Sequence, residues 1–268
     1  MNFKSYYLVE RDDLTKLSKA RAVVKQFELA LHKNFDIYLQ NFLSNTETNL
    51  EKLKFVTIPF EKPLEKLRLL FPKVDANQRM AASYSPPSEK NNLTATMRIY
   101  SKDYRNYVDT IKDYTDEGDK VAMKGVIKNF KSFVSKLLKD SSIVHELIHV
   151  YDDSKGILDK TVPKNKEVGN LLKTINSMED SPLRRDLVSK LHSTHINQSG
   201  EYNAEFLQAV NDIIKDLLDK KISIQDLKDF KVLEKEFWKN FKASKESVTA
   251  DNIKRIKKRL YDLFTKLD

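Results

Sequence analysis

Residues 141–153 read SSIVHELIHVYDD and hold two of the chain's five histidines. His145 and His149 are four residues apart, so on a helix their imidazoles stand one turn apart on the same face. So placed, both can reach one metal ion from the same side. Glu146 is offset by one residue. It sits beside such an ion rather than on it, where a carboxylate can take a proton from a water and pass it on. This is the H-E-x-x-H pattern, and its chemistry is metal-assisted hydrolysis: the ion acidifies a water and polarises a carbonyl, and the glutamate moves the proton. In a chain so poor in histidine the pattern has little chance of arising by accident. Its setting sharpens the signal, because Ile143, Val144, Leu147, Ile148 and Val150 are all apolar. Two imidazoles and a carboxylate in an oily helix are costly unless something satisfies them.

Two imidazoles do not complete a catalytic zinc site, which needs a third protein ligand and keeps a position open. The chain has no cysteine, so the third ligand comes from His192, His195 or a downstream acid. The extended motif H-E-x-x-H-x-x-G-x-x-H is excluded, since Asp152 and Lys155 occupy its later positions. A downstream G-T-x-D signature is also absent. A glutamate on a second helix remains. The stretch SGEYNAEFLQAV (199–210) fits: Gly200 permits a close entry, Glu201 and Glu205 share a face, and Ala204 leaves room for a neighbouring helix. Phe206, Val210 and Ile213 would pack that helix down. Spacing alone allows either glutamate.

The elements that must position these residues are mostly helical. Five glycines and seven prolines in 268 residues are few breakers for so long a chain. Leu17, Ala20, Val24, Phe27, Leu31 and Phe35 recur at helical spacing and predict one or two helices over 12–45. FVTIPF (55–60) reads as a short strand, and Pro63 opens a short helix through Leu70. LTATMRIYS alternates from Leu93, with AASYS (81–85) as its pairing partner across a polar loop. KDYRNYVDTIKDY is a helix ended by TDEGD, and one apolar face then runs from Lys120 through the two histidines to a stop at Gly156. Further helices are predicted over NKEVGNLLKTIN, over SPLRRDLVSKLH with Ser181 as cap and Pro182 in its first turn, and from Glu201. Another follows Ser223 and its Asp226 partner, and the last covers DNIKRIKKRLYDLFTKL.

The H-E-x-x-H helix followed by a glutamate on a second helix resembles the gluzincin metallopeptidases. The nearer likeness is to the catalytic domain of anthrax lethal factor and to phage-encoded metallopeptidase-like proteins, over roughly residues 93–217. It is carried by HELIHVYDD, with two aspartates shortly after the second histidine, and by EYNAEF, an E-x-x-A-E run. The resemblance implies Glu201 as the ligand and Glu205 as a supporting residue, with zinc as the ion. It implies Asp152 and Asp153 as carboxylates that orient the ligating imidazoles. Lethal factor carries a tyrosine shortly before its ligand glutamate. Here that region reads HSTHINQSGE, so His195 is the substitute for stabilising the oxyanion, or else a structural histidine or a competing ligand. Zincins also carry an edge strand above the metal helix. By that likeness, the polar face with Thr94, Thr96, Arg98 and Tyr100 lies toward the cleft or solvent, and Thr96 and Arg98 contact substrate.

The expected fold class is α+β, mostly α: a zincin-like domain with a small sheet over 71–222, a helical N-terminal extension over 1–70, and C-terminal helices over 223–268. The expected activity is zinc-dependent hydrolysis of peptide bonds, with a protein or peptide as substrate. One rival is a non-catalytic structural or virion-associated interaction protein that keeps the fold, though Glu146 would then have no purpose. The other is a basic nucleic-acid binder. Net charge is +9, from 48 basic and 39 acidic residues. Yet the lysines are mixed with acids along helix faces, as solvated surfaces are, which argues against nucleic acid as the main partner. No stretch has the length of a membrane span, and the N-terminus has no apolar leader. The expectation is a soluble protein, cytoplasmic or virion-associated.

Overall fold

Apolar side chains at every third or fourth position build the first helix, α1 (Phe3–Leu43). Its buried row is Leu17, Ala20, Val23, Phe27, Leu31 and Phe35, so Val23 rather than Val24 faces the core. The computed structural model describes residues 3–46, 55–57, 66–72, 74, 81–89, 94–156, 174–175, 177–196 and 199–264. Two compact units emerge, one of residues 18–154 and one of residues 1–17 with 155–268. The chain is α+β and mostly α, as its shortage of glycine and proline predicts.

The unit of residues 18–154 contains the whole sheet. Its strands are β1 (Phe55–Thr57), β2 (Lys66–Leu70), β3 (Ala82–Ser85) and β4 (Thr96–Ile99), in the order β1-β2-β4-β3. β3 and β4 pair antiparallel as expected, with Tyr84 opposite Met97. β2 pairs parallel with β4 and antiparallel with β1. The helix expected through Leu70 is therefore a strand at its C-terminal end; residues 63–65 lie outside the described residues, as do 58–60 and Leu93. Leu67 and Leu69 are both buried, a period of two that suits a sheet face. Two strands of the sheet thus come from the stretch expected to be a helical extension.

After β4 come α2 (Lys102–Glu117), α3 (Lys120–Leu137) and α4 (Ser141–Ser154). Ser101 caps α2, and Gly118 closes it at φ 74°. The continuous helix expected from Lys120 to Gly156 is broken at 138–140, because Asp140 accepts from the N–H of Ser142 at 2.8 Å and starts a new helix. The core of this unit is aromatic: Phe130 of α3 meets Phe35 of α1 edge-on at 4.5 Å and lies against Tyr104 and Tyr107 of α2. Tyr104 stacks on Phe71 at 3.6 Å.

In the other unit the helices are α5 (Pro182–Ile196), α6 (Ser199–Leu218), the short α7 (Ile224–Leu227), α8 (Phe230–Asn240) and α9 (Ala250–Phe264). Ser181 caps α5 through the N–H of Arg184, and Ser223 and Asp226 form the capping box that their spacing predicts. Of the helix expected over 165–176, residues 165–173 and 176 lie outside the described residues. Phe206 of α6 packs on Phe237 of α8 at 5.4 Å, and Ile256, Leu260 and Phe264 of α9 are buried. Among the described residues no helix is long and apolar enough to cross a membrane.

Candidate metal centre

α4 is buried nearly all round, and its polar exceptions carry the chemistry. His145 is 7% exposed and His149 6%. Their Nε2 atoms stand 3.2 Å apart, with the rings nearly perpendicular at 81°. Helical spacing of four produces this convergence, since each side chain leans along the axis onto the same face. Two nitrogens held by one tetrahedral zinc at ordinary bond lengths are about 3.3 Å apart. The pair can share one proton or, with both Nε2 atoms unprotonated, one metal ion.

Glu201 lies in the first turn of α6, and Glu205, one turn further along the same helix, is buried. Two imidazoles and a carboxylate form a donor set suited to zinc.

Glu146 is oriented by the sheet. Its Oε2 accepts the backbone N–H of Tyr84 at 2.7 Å. The register of β3 explains why this N–H is available. Tyr100 donates to the carbonyl of Ala81, so 81, 83 and 85 make the narrow pairs with β4, while the N–H and C=O groups of Ala82 and Tyr84 turn away from it. The Tyr84 hydroxyl donates to Oδ2 of Asp153 at 2.5 Å. Burial, reinforced by the Asp153 carboxylate, pushes the Tyr84 phenol far above its ordinary range, so it remains a donor. β3 packs directly on α4.

The two aspartates after the motif differ in setting. Asp152 is 1% exposed, and Asp153, half-buried, is the acceptor for Tyr84. His192 and His195 lie near the end of α5, where the structure describes the backbone alone. Tyr202 is turned to other work: its hydroxyl reaches the carbonyl of Asn252 and Arg259 stands over its ring. Tyr151 is buried with the Lys19 ammonium 5.7 Å above its ring.

The substrate strand expected from the sequence is corrected by the sheet order. β4 lies between β2 and β3, so its main-chain groups are engaged on both sides and no added peptide can pair with it. Thr96 is buried, at 2% exposure, with its hydroxyl on the carbonyl of Thr94. Arg98 donates to Ser85 Oγ at 2.7 Å. Neither Thr96 nor Arg98 stands at an open edge. Among the described residues the edges are β1 and β3, and β3 is the one that packs on α4. Tyr84 is the residue that sequence reasoning missed. It lies in a short serine-rich strand, and no local pattern marks a contact with a helix more than sixty residues away.

No protein-family model matches the chain, and neither a curated protein nor a solved structure does.

Proposed function

We propose that this protein is a zinc-dependent metallopeptidase of the gluzincin kind, with His145, His149 and Glu201 as ligands and Glu146 as general base and acid. The observation that carries the reading is the convergence of two buried Nε2 atoms to 3.2 Å, beside a glutamate held from the neighbouring strand. When bound, zinc supplies Lewis acidity to a water and to the substrate carbonyl. Glu146 takes the proton of the attacking water and delivers it to the departing amine nitrogen as the C–N bond breaks. The outward N–H and C=O of Ala82 and the C=O of Tyr84 offer an extended peptide a strand to pair with. Asp152 is assigned to orienting a ligating imidazole, Asp153 holds Tyr84, and His195 is assigned to the oxyanion.

Metal content measured by mass spectrometry on metal-replete protein tests the reading. About one zinc per chain is expected in the wild type, absent in His149→Gln and Glu201→Gln, and kept in Glu205→Gln and Glu146→Ala. Against a peptide library, Glu146→Ala should lose at least about a hundred-fold in turnover. A wild type that takes up no zinc even when zinc is added would overturn the assignment, and loss of zinc with Glu205→Gln instead would move the third ligand by one turn.

A further inference from the structure

We propose that Tyr84 is the positioning residue of the general base: it staples strand β3 to α4 at two points and thereby fixes the Glu146 carboxylate. This inference rests on the catalytic reading of Glu146. Two hydrogen bonds from one residue carry it. The backbone N–H of Tyr84 meets Oε2 of Glu146 at 2.7 Å, and its phenol meets Oδ2 of Asp153 at 2.5 Å. Glu146 and Asp153 are seven residues apart, two turns along one face of α4. Tyr84 therefore spans two turns of the helix that carries both histidines, and its strand cannot slide along that helix without breaking one bond or the other.

The direction of each bond matters. The Tyr84 N–H meets Oε2 and so restrains the orientation of the carboxylate that carries the proton. An N–H can only donate, so it cannot take the proton that Glu146 carries. The phenol acts at a distance. It does not touch the base, but it sets the height of β3 above α4 and so the aim of the N–H. Ala82, whose side chain lies on the same face of β3, offers no polar group to replace it.

Amide hydrogen exchange at residue 84 and turnover, both on the full chain, test the inference together. Glu146→Ala should speed exchange of the residue-84 amide about ten-fold or more, because its acceptor is gone. Tyr84→Phe should speed the same amide and lower turnover about ten-fold or more, with zinc content unchanged, since displacing a catalytic group by a fraction of an ångström is felt in the rate. Asp153→Ala should reproduce Tyr84→Phe, and the double variant should fall no further, because both remove one bond. Asp153→Asn, which keeps an acceptor oxygen, should recover part of the loss. Unchanged exchange in Glu146→Ala, or turnover in Tyr84→Phe within about two-fold of wild type, would overturn the inference. A wild type with neither zinc nor turnover would instead overturn the catalytic reading, and the exchange measurement would still decide whether Tyr84 holds Glu146.

Discussion

Single residues in this protein are held by more than one partner where their position matters. Tyr84 is one case, and Arg259 is another. Its guanidinium donates twice to Asp13 Oδ2, at 2.8 and 3.1 Å, and once to Asn203 at 3.0 Å. It also stands 3.7 Å over the ring of Phe206. The pair is largely removed from water, with side chains 15% and 7% exposed. Asn203 and Phe206 flank Glu205 on α6, so the network sets the register of the helix that supplies Glu201. Replacing Arg259 with methionine should cost about 3 kcal/mol, because the buried Asp13 carboxylate loses the cation that faces it. Lys239 is 63% exposed and meets the part-buried Glu236 from the solvent side, so Lys239→Ala should stay within about 0.5 kcal/mol. Urea denaturation of Arg259→Met and Lys239→Ala side by side checks the contrast.

At the scale of elements, the backbone conformation at helix ends decides what the sequence can tolerate. Gly118 ends α2 at φ 74°, a left-handed conformation that glycine adopts freely and alanine does not. Gly125 lies exposed in the middle of α3 with ordinary helical geometry, and a β-carbon there would meet nothing within 4 Å. The same substitution should therefore act in opposite directions. Gly118→Ala is expected to destabilise by about 1 kcal/mol and Gly125→Ala to stabilise by about 1 kcal/mol. Thermal unfolding of the two variants decides it; a shift of the same sign in both would contradict the account. The break between α3 and α4 obeys the same local logic. Asp140 captures the N–H of Ser142, and α4 starts afresh there.

For the whole molecule, a metal that binds the folded chain and not the unfolded one must raise its stability by mass action. At a free zinc concentration about a hundred-fold above the dissociation constant, the gain is about 2.7 kcal/mol, which moves the melting midpoint of a chain this long by several degrees. Zinc should therefore raise the midpoint of the wild type and leave His149→Gln unmoved, and a chelator should reverse the effect. Scanning calorimetry with and without zinc reads this directly. An equal response in both proteins would place the stabilising ion elsewhere.

What the sequence determined by itself is what a few neighbouring residues encode. Periodicity announces the helices, Ser181 and the Ser223–Asp226 box mark helix starts, and four-residue spacing puts His145 and His149 on one face. The antiparallel pairing of β3 with β4 was also legible, because the polar, proline-rich stretch PPSEKNN separates AASYS from the alternating LTATMRIYS. What tertiary structure decided involves partners remote in the chain. Residues 66–70 carry leucines at two-residue spacing within a stretch that also suits a helix, and only the parallel pairing with β4 selects the strand. That same pairing makes β4 an interior strand, buries Thr96 and leaves β3 at one edge of the sheet. It is also why Tyr84, on a strand more than sixty residues before Glu146, reaches the carboxylate that the sequence marked as the base. Local rules operate within a turn or a hairpin, whereas the order of strands in a sheet is set by burying both faces at once, which no short segment records.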